Sequence, residues 1–369
     1  IREDYRGKLY RTERAPGEPT VYRTPLYVPE RPTGLKRVAH LSSFMLGSLP
    51  VMLRQIFWQP EVVFTVEPTF FCAPIALLVA QAAGASSWLH VQDFEVDAAF
   101  DLGLLPAHGP AHSLALGLEG LFTRTFTRVS SISVKMVERA ITKGVCADHA
   151  VLFPNWVDID SVYPLNGPAT NSFRRELGLE EKIILLYSGN MGTKQGLELL
   201  APLAESFADC AHVHFLFCGN GAFRPRLEAL VADRHNVTML PLQPLSRLND
   251  LLNAADIHLL PQRAGAADLV MPSKLTGILS SGRPVIATAD AGTQVARVVE
   301  GTCLNEACGL VVPAEDATAL QDAVSRLVQD EPLRKRLGGA ARRYAVEHLG
   351  KEQVLERFEQ DLRSLISGQ

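Results

Sequence analysis

No two of the six cysteines (Cys72, Cys146, Cys210, Cys218, Cys303, Cys308) stand at CxxC spacing, and no group combining His and Cys has metal-ligand spacing. A Gly-x-Ser-x-Gly elbow is missing too, so disulfide scaffolds, zinc modules and serine-nucleophile hydrolases drop out and reduced thiols in a cytoplasm are expected. No dense Lys/Arg run alternates with aromatics, and 36 basic against 40 acidic side chains leave a net charge of −4, which argues against nucleic acid. The chain opens Ile1-Arg2-Glu3-Asp4 without an initiator Met or a charged-then-apolar leader; the expectation is a cytoplasmic protein with something upstream missing. Two stretches lack Asp, Glu, Lys and Arg. Residues 68–92 are long enough to span a bilayer, but Pro74, Gly84, Ser86 and Ser87 break them, which favours a buried helix (Cys72 to Ala82) followed by a buried strand (Ser87 to Val91). Leu41 to Leu53 is too short to cross; it either lies against a membrane or is buried.

What the sequence does have is alternation. Short β-branched runs at Val62–Val66, Ser87–Val91, Arg128–Ile132, Ala150–Phe153, Ile183–Ser188, His212–Cys218, Val237–Leu240, Ile257–Leu260, Val285–Ala287 and Leu310–Val312 are separated by helical patterns, which implies parallel sheets in an α/β protein. A polar, Pro- and Gly-rich connection from Asn155 to Pro168 divides the chain into domains over 1–165 and 166–350. The first domain shows four strands against six in the second, as if its first βα unit were absent. From Lys351 onward, Val354, Leu355, Phe358, Leu362, Leu365 and Ile366 recur at helical spacing, giving an amphipathic helix over 351–369 that packs across the domains.

Three segments could carry chemistry. Ser188-Gly189-Asn190-Met191-Gly192-Thr193-Lys194-Gln195-Gly196 follows a strand and precedes a helix; its glycines let amides approach an anion and Lys194 adds a charge, as in a phosphate cradle, although a tight βα turn with a solvated Lys reads the same way. A second turn, Phe217-Cys218-Gly219-Asn220-Gly221, fits plain turn geometry, with Gly219 and Gly221 as weaker ligand candidates. In the third segment, Asp268 to Ile286, Pro272 and Ser273 suit a helix start and Gly282 a helix stop, so Lys274 falls in the first turn. A cation at the positive end of a helix is unfavourable unless an anion joins it, and that conflict points to function.

Ser188–Gly196, Leu260-Pro261-Gln262, Met271-Pro272-Ser273-Lys274-Leu275 and Ser281-Gly282-Arg283-Pro284-Val285, together with Trp88–Glu95 and Phe153–Asp158, resemble the retaining family-4 glycosyltransferases of the colanic-acid and exopolysaccharide type. The resemblance implies a GT-B fold, two Rossmann-like doubly wound domains facing across a cleft. It also implies transfer of sugar from a UDP- or GDP-sugar to a hydroxyl of a glycan or polyprenyl-diphosphate-linked acceptor, with retention and without an essential metal or other cofactor. The enzyme would work in the cytoplasm, either free or at the inner face of the membrane as a peripheral protein. Lys194 and Lys274 would hold the diphosphate, with Gly189, Asn190, Gly192, Gly219, Gly221, Asp268, Pro272 and Ser273 around the donor. The family's paired glutamates read Leu269 and Gly277 here, with Asp268 one residue early, and its usual loop Arg is Asn190.

In the first domain, His90, Asp93, Glu95 and Asp97 follow a buried strand, where they either orient an acceptor or decorate a helix start; Glu67 is a weaker candidate of the same kind. His90 and Asp93 are the catalytic candidates on this side. A nicotinamide oxidoreductase lacks its GxGxxG spacing here. An epimerase or hydrolase of the same fold, and a non-catalytic nucleotide-sugar-binding subunit, remain as alternatives.

Overall fold

The computed structural model describes residues 9–29, 34–67, 70–94, 109–165, 167, 171–192, 195–264, 272–302 and 306–367. Two units compose it, Ile1–Phe153 with Gln360–Gln369, and Pro154–Glu359.

The first unit opens with a short antiparallel hairpin, β1 (Arg11–Glu13) and β2 (Val21–Arg23), and helix α1 (Gly34–Gln55). Both escaped the sequence reading, because three-residue strands that stay largely exposed leave no alternation to detect. Then come β3 (Val62–Glu67), helix α2 (Ala73–Ala83), β4 (Ser86–Val91), β5 (Arg128–Ser131) and β6 (Ala150–Leu152), the strands all parallel and in sequence order. Every residue of β4 is buried, as a strand covered on both faces requires. Pro74 in the first turn of α2 and Gly84 in the left-handed region just past its end bound that helix. The uncharged stretch 68–92 is thus a helix and strand of a βαβ unit, as expected. Among the described residues no helix is long and apolar enough to cross a membrane.

The second unit holds β7 (Ile183–Asn190), β8 (Val213–Asn220), β9 (Val237–Leu240), β10 (Ile257–Leu260), β11 (Val285–Thr288) and β12 (Gly309–Val312) in the order β12-β11-β10-β7-β8-β9, all parallel. Along β7, Leu185 and Tyr187 enter one core with Phe215, Phe217 and Leu259, while Ile184 and Leu186 enter the other with Leu216 and Cys218. This period of two on a strand buried on both sides marks β7 as central. The order reverses between β7 and β10, which is where an open α/β sheet leaves a crevice at its carboxyl edge.

The units divide at Phe153/Pro154, upstream of the expected 165/166 boundary, because the connecting segment is tied to the second unit. Val157 donates its amide to Leu349 O at 2.8 Å and accepts from Lys351 N at 2.9 Å. Arg342 reaches the carbonyls of Val162 and Ile159 at 2.9 and 3.0 Å, and the side-chain oxygens of Asn249 and Asn253 accept from Tyr163 N and Leu165 N at 3.0 and 2.8 Å. The hydrogen bonds of this segment decide its side. The last helix, Lys351–Ser367, is continuous, and its residues from Gln360 onward group with the first unit. Five of the cysteines are free thiols, Cys303 lying outside the described residues.

Candidate active site

At the carboxyl edge of the second unit's sheet the two glycine segments form one construction. Gly189 pairs with Gly219 and Asn190 with Asn220, so β7 and β8 each run past the strand ends expected at Ser188 and Cys218. They can do so because Gly219 carries no side chain where it faces Gly189. A Cβ on Gly219 would lie 1.9 Å from Gly189 O, and one on Gly221 2.4 Å from Met191 O. Gly219 and Gly221 therefore have a structural reason of their own, the close approach of two backbones. Gly189, at φ +125°, is different: its added Cβ would meet only Lys274 Cδ, at 3.5 Å. Asn190 is exposed and Gly192 is half-buried. Lys194 and Asp268, with Thr193 and Leu269, lie outside the described residues.

Lys274 opens a short helix, α3 (Lys274–Ser280), after buried Pro272 and exposed Ser273. Ser273 precedes the helix as expected but makes no side-chain cap bond, so its hydroxyl leaves the first amides of the helix to other partners. The Lys274 ammonium donates to Tyr187 Oη at 3.2 Å and sits 4.2 Å from the centroid of that ring; Tyr187 Oη in turn donates to Asn190 O at 2.6 Å. No carboxylate pairs with Lys274 among the described residues. Burial pushes its amine down to about 8, and burial raises the Tyr187 phenol. A desolvated cation without a counter-ion, at the sheet's switch point, is what an anionic ligand would relieve.

Three neighbours escaped the sequence reading as site residues. Tyr187 reads as core because it is a fully buried aromatic on a central strand; only its hydroxyl faces the loop. Gln195 and Gln262 each hold a buried side-chain oxygen without a hydrogen-bond partner among the described residues. Gln262 is fixed by its backbone, whose amide donates to Thr288 Oγ1 and whose carbonyl accepts from it, both at 2.7 Å. Gly196 comes within contact of the Gln262 carbonyl, an added Cβ standing 3.4 Å away. Leu260-Pro261-Gln262 carries the resemblance, but no spacing rule singles out its glutamine.

In the first unit, Glu67 ends β3, while His90 lies near the end of β4 and Asp93 just beyond it; Glu67 is the register partner of Val91, which puts its side chain on the sheet face opposite to that of His90. His90 is 4% exposed and both its nitrogens are engaged: Nδ1 with Ser130 Oγ at 2.8 Å, Nε2 with the Gln92 carboxamide at 2.8 Å. Trp88 Nε1 also donates to Ser130 Oγ at 2.8 Å. Gln92 Nε2 donates to His90 Nε2, so the ring carries its proton on Nδ1 and donates it to Ser130 Oγ, which also accepts from Trp88 Nε1. Burial pushes His90 down to about 4, so the ring is neutral at neutral pH. This histidine braces the segment carrying Gln92 and Asp93 rather than presenting a free nitrogen. Asp93 itself is half-buried; Glu95 and Asp97 lie outside the described residues.

Comparison with known proteins agrees with this architecture. The family model described as "Glycosyl transferases group 1" matches residues 169–344, and that described as "Glycosyl transferase 4-like domain" matches residues 2–156. The chain is 38% identical over 368 residues, 98% of its own length and 88% of the relative's, to a candidate colanic acid biosynthesis glycosyl transferase, WcaI, of Escherichia coli (strain K12). Among solved structures it resembles sucrose-phosphate synthase from Thermosynechococcus elongatus, with TM-score 0.73, 19% identity and coverage of 99% and 87% of the two chains. It also resembles Anabaena Alr3699/HepE in complex with UDP and glucose, with TM-score 0.67, 16% identity and coverage of 86% and 83%. The two matched domains and the relative aligned along nearly the whole chain make this protein a glycosyltransferase, a member of the GT-B family built from a 4-like and a group 1 glycosyl transferase domain.

Proposed function

We propose that the chain moves a sugar from a UDP- or GDP-linked donor to a hydroxyl of a glycan or polyprenyl-diphosphate-linked acceptor, with retention, in exopolysaccharide assembly. The observation that carries the donor half is Lys274, a largely buried amine with no carboxylate beside it among the described residues, at the start of a helix that Ser273 does not cap through its side chain. On this reading the donor diphosphate supplies the missing negative charge, and Lys274 with Lys194 steadies the charge that builds on the leaving nucleotide as the glycosidic bond breaks. Gly189, Asn190, Gly192 and Ser273 would line the same pocket, with Asp268 and Pro272 nearby. His90 would hold the acceptor-side segment in place and Asp93 would orient a hydroxyl. The names of the relatives support the choice of substrates: one belongs to colanic acid biosynthesis, and one solved neighbour was captured with UDP-glucose.

Titration with UDP-, GDP- and dTDP-sugars, followed by an assay for transfer to a lipid-linked acceptor and NMR assignment of the product anomer, tests each part. Donor binding without any glycoside product would favour the non-catalytic or hydrolase alternatives; an inverted product would remove retention.

The ionisation of Lys274 adds a prediction about pH. In the free protein its amine titrates near 8, and a bound diphosphate would favour the charged form and raise that value. Donor binding should therefore take up a proton at pH values just above 8, and affinity should be flat below that value and fall above it. Calorimetry in buffers of differing ionisation enthalpy reads the proton directly. The same shift has the opposite sign for folding: between about 8 and the unfolded value of 10.5 the unfolded chain holds the proton that the folded one releases, so stability rises with pH across that window. Donor affinity that stays level to pH 10 or so would detach Lys274 from the diphosphate.

A further inference from the structure

Helix α3 is tied down mainly at one end. Seven residues are too few for a helix to keep its place by backbone bonding alone, so its surroundings must fix it. Leu275, Ile278 and Leu279 are buried along its flank, but apolar packing is non-directional and resists a slide along the helix axis only weakly. At the start of α3 the hydrogen bonds are local: Leu275 N donates to Pro272 O and Thr276 Oγ1 to Ser273 O, both at 2.9 Å. Among the described residues, the bond that leaves this end for another element is that of Lys274 to Tyr187.

The other end is bound on several sides. Ser280 is fully buried and donates from Oγ to Val162 O, in the segment that joins the units, at 2.6 Å. Helix α4 (Glu331–Tyr344) crosses there in backbone contact, since a Cβ on Gly338 would lie 2.3 Å from Gly282 O. Four residues on, and so on the same face of α4, Arg342 spreads its guanidinium over the join. Its Nη1 lies 3.0 Å from Ser280 O, 2.8 Å from Ser280 Oγ and 2.9 Å from Val162 O, and its Nη2 donates to Ile159 O at 3.0 Å. Arg283 adds a bond to Leu165 O at 3.0 Å. A planar fork can serve the helix end and the joining segment together, which the point charge of a lysine cannot. A cation also suits the carboxyl end of a helix, whereas Lys274 stands at the end that disfavours one.

We infer that Arg342 is a positioning residue for the transfer reaction: by clamping the carboxyl end of α3 to residues 159–162 it sets where the Lys274 ammonium stands. Six residues of helix, about 9 Å, separate Ser280 from Lys274, and a rigid segment of that length carries a shift at one end to the other. The effect on catalysis rests on the proposed contact between Lys274 and the donor diphosphate; the effect on the place of Lys274 does not.

Two measurements on the full chain test this. Brief acetylation, followed lysine by lysine by mass spectrometry, reports how firmly Lys274 is held against Tyr187. Its modification should speed up about fivefold in Arg342→Met, with exposed Lys36 as the unchanged reference. Donor KM should rise about tenfold in the same variant, since a small misplacement of a charged contact is costly. That rise should vanish in the Lys274→Met background, where no ammonium is left to misplace. Partial unfolding behaves otherwise, because fewer active molecules lower the apparent kcat and leave KM where it was. Ser280→Ala is the milder change; it should move both measurements in the same direction by about two- to threefold, and it decides the matter if Arg342→Met does not fold. Wild-type labelling of Lys274 in the folded variants would overturn the proposal. So would a wild-type donor KM, or an Arg342→Met effect that adds in full to that of Lys274→Met, given that Lys274→Met alone weakens the donor. Unchanged donor kinetics in Lys274→Met would instead sink the donor reading, and the acetylation rates would still decide whether Arg342 holds Lys274 in place.

Discussion

Replacing Lys274 with methionine is expected to cut kcat/KM for the nucleotide-sugar donor by about 30-fold, roughly 2 kcal/mol of transition-state stabilisation, while leaving the melting temperature unchanged or higher. The two effects have one cause. In the free protein the amine is partly desolvated, has a tyrosine hydroxyl and ring for company, and meets no carboxylate among the described residues. Exchanging it for an apolar side chain of similar length removes a desolvated charge and keeps the contact with Gly189, so folding loses little. Catalysis loses the cation that would meet the leaving diphosphate. A lysine kept for structure would behave in the reverse manner, lowering the melting temperature and sparing turnover. Kinetics and thermal unfolding of the same preparation separate these, and an unchanged kcat/KM would take Lys274 out of the site.

The second large effect is expected from Gly219→Ala. The added methyl would stand 1.9 Å from the carbonyl oxygen of Gly189, and the residue holds φ +154°. Neither neighbour is a side chain that can swing aside, so β7 and β8 must part where both carry the loop. Overpacking and backbone strain together should cost about 3 kcal/mol or more, a fall of roughly 6–12 °C in the melting temperature of a unit this size. Gly189→Ala is the informative partner. Its methyl meets only the Lys274 stem at ordinary contact distance, so the cost is mainly the backbone conformation, about 1–2 kcal/mol, and the damage should appear in donor affinity instead. Equal destabilisation by the two alanines would mean that β7 and β8 do not approach as closely as described.

The alternation of strands was legible because buried parallel strands are short, β-branched and bounded by turn residues; β4 and β10 lie within a residue of where their apolar runs place them. What the pattern does not carry is a contact between distant backbones. Nothing in Phe217-Cys218-Gly219-Asn220-Gly221 states that its glycines exist to admit Gly189 and Met191, so β7 and β8 were expected to stop short. The hairpin and α1 were missed for another reason: their apolar residues face outward as often as inward, and hydrophobic periodicity reports burial, not shape. At the site, Lys274 was legible through a local rule that it breaks. Tyr187, Gln195 and Gln262 were not, since each reads as ordinary core or loop until the Tyr187 hydroxyl is found on Lys274 and Asn190 and the two carboxamide oxygens are found without a partner among the described residues.

The pairing of Gly189 with Gly219 also divides labour within the pocket. If this edge holds the donor as proposed, main chain brought to van der Waals distance has no side chain with which to tell one hexose from another, so the glycines would recognise only what all candidate donors share. The unmet oxygens of Gln195 and Gln262 accept hydrogen bonds, which phosphate cannot offer but hydroxyl groups and ring N–H groups can. On the proposed donor site, altering those two carboxamides and their surroundings, with the glycines left as they are, would be the way to change which donor is accepted.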